Sequence, residues 1–441
     1  MRVHSKAVAL IMIVLVMGVF AVHTVTPAMA RLTGGFMAYY IGGQTLRLNG
    51  HSTSLYDDPW FTQQVLQASN GSVRDVYLVN PPSLAVVCIP LSYLNVHVAR
   101  QLWIALSVLS LAISLGLICA EFSWLSEPWY VAGLSALLFL AAPTRDQTAS
   151  GQIYGYLLLL HVVGWRAYIR DKDPLAGTAL GLAIALKLSG WPIGFLMMAQ
   201  RRWTSALWAF ATTIAVSLAS LPWVGIDTWR AFLFRALPHT LRDPSAALTA
   251  YQDTTSFWQH LFRYDARLNP HPLFDFPALA TVLSFGTAVA ACVALVARPR
   301  PVSVTFAAAV ALTELLSPLA EQYHYVLLIL PLALLWQQVS LSRSTALAGC
   351  ALVATLLIWW PIDYKSQHPI WAILHNYPRL IGGWILFAAL LQADRFSRNR
   401  REIRGPGPLV ASEAVNNAEE FNELQSRPNS LSFAGTHSQL T

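Results

Sequence analysis

Residues 175–199 read LAGTALGLAIALKLSGWPIGFLMMA, an apolar run with a single cation, Lys187, at its middle. Basic residues stand on both sides, Arg166, Arg170 and Lys172 before it and Arg201 and Arg202 after it. At ~1.5 Å per residue the run is long enough for one bilayer crossing and too short for two. Short cytoplasmic loops collect Lys and Arg, so both flanks ask for the same side of the membrane. Two arrangements fit. A helix-turn-helix, broken at Leu188-Ser189-Gly190-Trp191-Pro192, enters and returns with Lys187 at its tip; alternatively, one tilted span carries a basic cluster on the outer side. In either case a buried ammonium costs at least a few kcal/mol unless an anion or water meets it, which marks Lys187 as a functional residue.

The rest of the chain has the same texture. Of its 441 residues, 55% are hydrophobic and 12% charged, and apolar runs recur at roughly 7–25, 82–99, 101–120, 128–143, 153–166, 175–198, 203–221, 274–297, 303–317, 324–338, 345–361 and 378–393. This predicts an all-α, polytopic integral membrane protein with about 10–12 membrane-embedded helices, some short or broken. The basic clusters place the polar loops 31–80 and 222–272, and the shorter ones at 318–323 and 362–377, on the extracytoplasmic side of a plasma-membrane protein. The net charge of +7 sits mainly in the cytoplasmic flanks, so it suits anionic lipid and gives no reason to expect nucleic acid. All four cysteines, Cys88, Cys119, Cys292 and Cys350, fall in apolar runs without CxxC spacing, and read as small core residues. No metal or cofactor motif is present.

Two terminal features need separate treatment. Arg2, Lys6, an apolar core and Ala28-Met29-Ala30 imitate a secretory signal, although an uncleaved first helix fits the long core and the following spans better. From about 394 to 441 the composition turns to Ser, Asn, Gln, Glu and Gly behind a basic cluster, which predicts a disordered cytoplasmic tail outside the 1–393 membrane domain.

Polar chemistry is concentrated in the outward loops. Phe36–Leu48 has the aromatic and apolar content of an interfacial helix. Asp57 and Asp58 follow, either as a general base or as turn-forming acids ahead of Pro59. Arg145 can grip a phosphate or pair with Asp146, and Gln152 lies just beyond it. In TELLSPLAEQYHYVLLILP (313–331), Glu321 and His324 sit at a membrane boundary, where the imidazole can donate to a phosphate or shuttle a proton.

These segments carry a family resemblance. GGFMAYYIGGQTLRLNGHSTSLYD (34–57), NPPSLAVVCIPLSYL (80–94), SGQIYGYLLLLHVV (150–163), AGTALGLAIALKLSGWPIGFLM (176–197) with RRW (201–203), and SPLAEQYHYVLLILPLAL (317–334) resemble, in order and spacing, glycosyltransferase family 87. This is a GT-C class that includes the mycobacterial polyprenol-phosphate-mannose-dependent mannosyltransferases. The resemblance implies an extracytoplasmic active site that moves a hexose, mannose-like, from a polyprenyl-phosphate donor to a glycolipid or glycan acceptor. It implies that Lys187 and His324, with Arg145, hold the donor phosphate.

The chain departs from the family at its base. Members carry an Asp after the first span, in a pattern like Asp-Phe-x-x-Tyr, and here that place is Gly35 before Phe36 and Tyr39. Asp57 or Asp58 then becomes the substitute base, with a different alignment of this loop or loss of catalysis as the alternatives. A smaller departure puts Asn80 where the family has Tyr before Pro-Pro. A secondary transporter or flippase also fits many spans and an intramembrane lysine.

Overall fold

The computed structural model describes residues 2–77, 80–122, 128–359 and 375–404. The protein is all-α; among the described residues there is no strand, only an isolated bridge between Asp265 and Asn269. Met1–Ala393 forms one compact unit and Asp394–Thr441 a second. Lys6–Ala30, Val96–Glu121, Trp203–Thr240, Pro277–Val296 and Gln322–Ser342 are long and apolar enough to cross a bilayer, and four shorter apolar helices accompany them. Large apolar side chains stand exposed on these helices, among them Leu10, Val14 and Leu15 on the first and Leu207, Phe210 and Leu218 on the third. Such surfaces are costly in water and suit lipid. This is a polytopic integral membrane protein.

The Lys187 run folds as a hairpin. Asp173–Lys187 is helical, Leu188 and Gly190 take left-handed backbone at φ +53 and +98, and Trp191–Ala199 returns. Pro174 and Pro192 each sit in the first turn of their helix, where the missing N–H costs nothing. The two ends then meet. Arg202 Nε donates to Asp173 Oδ1 at 2.8 Å and Arg202 also pairs with Asp171 at 2.9 Å, while its guanidinium lies 4.4 Å from the Tyr168 ring centre. A single tilted span would hold these ends a membrane apart, so the helix-turn-helix arrangement is the correct one. Glu121 ties Arg166 (3.0 Å) and Arg170 (2.7 Å) to the same end. Lys187 is thus one helix, about 22 Å, away from the basic end.

Several expected elements differ. The helix at Phe36–Asn49 forms but is buried rather than interfacial, with every residue from Phe36 to Gly43 inside the protein. It packs so closely that a Cβ on Gly43 would lie 2.5 Å from the Cys88 carbonyl oxygen. The expected span 82–99 is only a short helix, Pro82–Cys88, and a 3₁₀ turn, Pro90–Tyr93, because Pro90 cannot continue the hydrogen-bond ladder. A new 26-residue helix, Val96–Glu121, begins beyond it, capped by Asn95. The outward loop expected from 222 begins as helix. The Trp203–Ala231 helix runs through Pro222 and kinks at Gly225, and helical structure resumes to Arg242. Of the cysteines, Cys88 alone is buried, and Cys350 is exposed on the apolar helix Thr345–Trp359. The last helix, Pro378–Arg404, continues past 393 into the segment expected to be a disordered tail. The rest of that tail, and most of the 362–377 loop, lie outside the described residues.

Candidate active site

The hairpin tip opens into a cavity of about 310 Å³, within the range of sites for small ligands. Asp75, Gln152, Lys187, Glu314, Glu321 and His324 all contribute to its walls. Lys187 Nζ donates to Asn80 Oδ1 at 2.5 Å. An ammonium has three donors and a full charge, so a neutral amide leaves capacity for an anion. Asn80, the departure from the family's Tyr, is therefore a direct neighbour of the buried cation.

Asp75 reaches the backbone at Gly35, the position at which the chain departs from the family's acid. Its Oδ2 accepts from Gly35 N–H at 2.6 Å and Ala38 N–H at 3.1 Å, capping the first turn of the Phe36–Asn49 helix from a distant part of the chain. Its Oδ1 accepts from Val76 N–H at 2.9 Å. Burial pushes the Asp75 carboxyl above the usual carboxylate range, outweighing the three backbone N–H groups and the Lys187 ammonium, which pull it down. Position 35 itself has no room for a side chain. Gly35 has φ +86, and a Cβ there would lie 2.6 Å from Gln152 Nε2 and 3.1 Å from the Ser150 carbonyl oxygen. Gln152 is held in place by Tyr39, whose hydroxyl donates to Gln152 Oε1 at 2.5 Å.

His324 and Glu321 also line the cavity. Glu321 N–H donates to His324 Nδ1 at 3.0 Å, so the neutral imidazole carries its proton on Nε2 and is a donor there. Its ring packs on Tyr154 and Tyr323, with centres 4.2 and 4.6 Å apart. Glu321 Oε1 accepts from the Tyr323 hydroxyl at 3.3 Å. Burial first, then Asp146, push the Glu321 carboxyl up, against Tyr323 and Lys187. The loop is fixed from behind by buried Asp253, whose Oδ2 accepts from Ala320 N–H at 3.1 Å, and burial pushes that carboxyl up to about 6.

The structure thus brings Lys187, His324, Glu321 and Gln152 together, and leaves three candidates outside the lining. Asp57 caps the Asp58–Ala68 helix by accepting from Trp60 N–H at 3.1 Å, which is the turn-forming role. Asp58 is half-buried beside His239, Asp57 and Asp243, and does not line the cavity. Arg145 is exposed on the helix Ala142–Ser150.

Sequence reasoning missed Asp75 and Glu314. For Asp75 the only signal is indirect, since a missing acid at 35 directs attention to every carboxylate of the 31–80 loop. Glu314 carried a direct signal, an acid inside VTFAAAVALTELL (304–316), by the same rule that marked Lys187.

The packing at Gly35 yields a prediction. Gly35→Asp, which restores the family's pattern, is expected to lower glycosyl transfer at least tenfold and to destabilise the fold by about 1–3 kcal/mol through strain and the clash with Gln152. Transfer rates and thermal unfolding of the purified protein check it.

A helical membrane body thus carries a cavity lined by charged side chains at the tip of a helical hairpin. The chain belongs to glycosyltransferase family 87, whose model matches residues 77–319. The match includes Lys187 and Glu314, and both Asp75 and His324 lie just outside it. The chain is 26% identical over 166 residues to an alpha-(1->3)-arabinofuranosyltransferase of Corynebacterium glutamicum, covering 37% of this chain and 38% of that protein. It is 24% identical over 170 residues to the alpha-(1->3)-arabinofuranosyltransferase of Mycobacterium tuberculosis, covering 38% and 39%. The like-named protein of Mycolicibacterium smegmatis is 26% identical over 153 residues, covering 34% and 36%. The chain therefore spans less than two fifths of the length of these relatives in the matched region. No solved structure matches. The family is, by its description, one of glycosyltransferases.

Proposed function

We propose that the protein transfers a glycosyl unit from a polyprenyl-phosphate-linked sugar to a glycan or glycolipid acceptor at the extracytoplasmic face of the plasma membrane. The observation that carries this reading is the meeting of Asp75, Lys187 and His324 in one cavity. A base, a fixed cation and a neutral N–H donor are what the chemistry requires. The acceptor hydroxyl loses its proton to Asp75 and its oxygen attacks the anomeric carbon as the bond to the phosphate oxygen breaks. Negative charge grows on the departing phosphate, and the Lys187 ammonium and His324 Nε2–H stabilise it. Asp75 replaces Asp57 and Asp58 in this role because it lines the cavity and they do not. Arg145 has no part in it.

The charge map supports the extracytoplasmic side, since basic residues favour the cytoplasm and the cavity lies one helix length from the basic end of the hairpin. The relatives' names make arabinofuranose the first donor to test, and a mannose-like hexose the second. The test is transfer by the purified protein in proteoliposomes, with polyprenyl-phosphate-linked arabinofuranose or mannose and an oligosaccharide acceptor. Transfer from either supports the proposal and names the sugar. Solute accumulation in vesicles without transfer would mark a transporter and overturn it.

A further inference from the structure

Glu314 is the costliest group in the cavity that the mechanism leaves unused. It occupies the last turn of Val302–Leu315, in a helix whose residues from Val304 to Leu315 are all buried. Its own exposure is 1%, and its Oε2 has no hydrogen-bond partner. A buried carboxyl oxygen left unpaired costs free energy that some other contact normally offsets. The other residues of this helix from Val304 to Leu315 are Val, Thr, Phe, Ala and Leu, so the helix's own packing calls for no acid here. The group does line the cavity, and its nearest polar neighbourhood includes Tyr154, the ring on which His324 packs.

That position limits the ligand. A sugar whose phosphate lies between Lys187 and His324 has its ring within one bond of that phosphate. Carboxyl oxygens are the common acceptors for sugar hydroxyls, which pair with them one or two at a time. We propose that Glu314 binds hydroxyls of the transferred sugar ring and sets donor specificity. This assignment rests on the glycosyl-transfer reading above.

The test compares the wild type, Glu314→Gln and Glu314→Ala with polyprenyl-phosphate arabinofuranose and with its 2-deoxy and 3-deoxy analogues. The wild type is expected to prefer the full donor over one of the analogues by about tenfold in kcat/KM, the effect of losing one buried hydrogen bond. Glu314→Ala is expected to lose that preference while KM for the full donor rises, and Glu314→Gln to keep part of it. A merely structural role would lower both rates equally and leave their ratio unchanged. If Glu314→Ala does not fold, the Gln variant carries the test, because its shape is nearly that of Glu and only its acceptor set changes. An unchanged preference in the folded variants would overturn the assignment and leave the glycosyl-transfer reading standing. Absence of transfer by the wild type from any polyprenyl-phosphate sugar would overturn both.

Discussion

Asp75→Asn is expected to reduce the rate of glycosyl transfer by about 10²–10⁴-fold, the usual effect of removing a general base. The substitution isolates chemistry from structure. The Asn carbonyl oxygen can still accept from Gly35 and Ala38 N–H, the two bonds by which Asp75 caps the Phe36–Asn49 helix. Thermal unfolding should therefore shift less than in Asp75→Ala, because Asp75→Asn gives up only the Oδ1 acceptor of Val76 N–H. The pH dependence gives a second readout with a definite sign. Only the deprotonated carboxylate accepts a proton, and burial raises the Asp75 carboxyl. Wild-type activity should then fall on acidification at a higher pH than an ordinary carboxylate would dictate, and Asp75→Asn should lack that limb in its residual rate. The counterpart substitutions Asp57→Asn and Asp58→Asn are expected to leave the rate within a fewfold of wild type, because neither side chain lines the cavity.

The second large effect is at Lys187. Lys187→Met keeps the length and apolar stem of the side chain and removes the charge, and is expected to lower kcat by about 10²–10³-fold, as does loss of a fixed group stabilising developing negative charge. Its partner Asn80 is left with an unpaired buried oxygen, and Asp75 and Glu321 lose the cation that holds their carboxyls down. The acid limb of the pH profile should accordingly move to still higher pH. Lys187→Arg is not expected to restore the rate, because a planar fork replaces a compact charge at the tip of a tight hairpin. Steady-state rates and pH profiles for the three proteins check these outcomes.

Much of this was legible in the sequence because lipid imposes strong rules. An apolar run with one lysine and basic residues at both ends had to be either a hairpin or a misassigned span, and the contacts of Arg202 with Asp173 and Asp171 decide it. Lys187 and His324 could be singled out from the chemistry of their residue types in expensive places. The base could not. Asp75 acts by tertiary placement, 40 residues along the chain from the helix start it caps, and no periodicity or local motif reports such a contact. Asp57 and Asp58 were attractive as neighbours in the right loop, yet a helix N-terminus satisfied Asp57 locally. The Phe36–Asn49 helix shows the same limit. Its aromatic content suits an interface, and only the close approach of Gly43 to the Cys88 backbone explains its burial.

The most direct test of the shared cavity as a transfer centre is an experimental structure of the protein with a polyprenyl phosphate bound. The account predicts the phosphate within hydrogen-bonding distance of both Lys187 Nζ and His324 Nε2. A phosphate held elsewhere, with Lys187 still bonded only to Asn80, would contradict it.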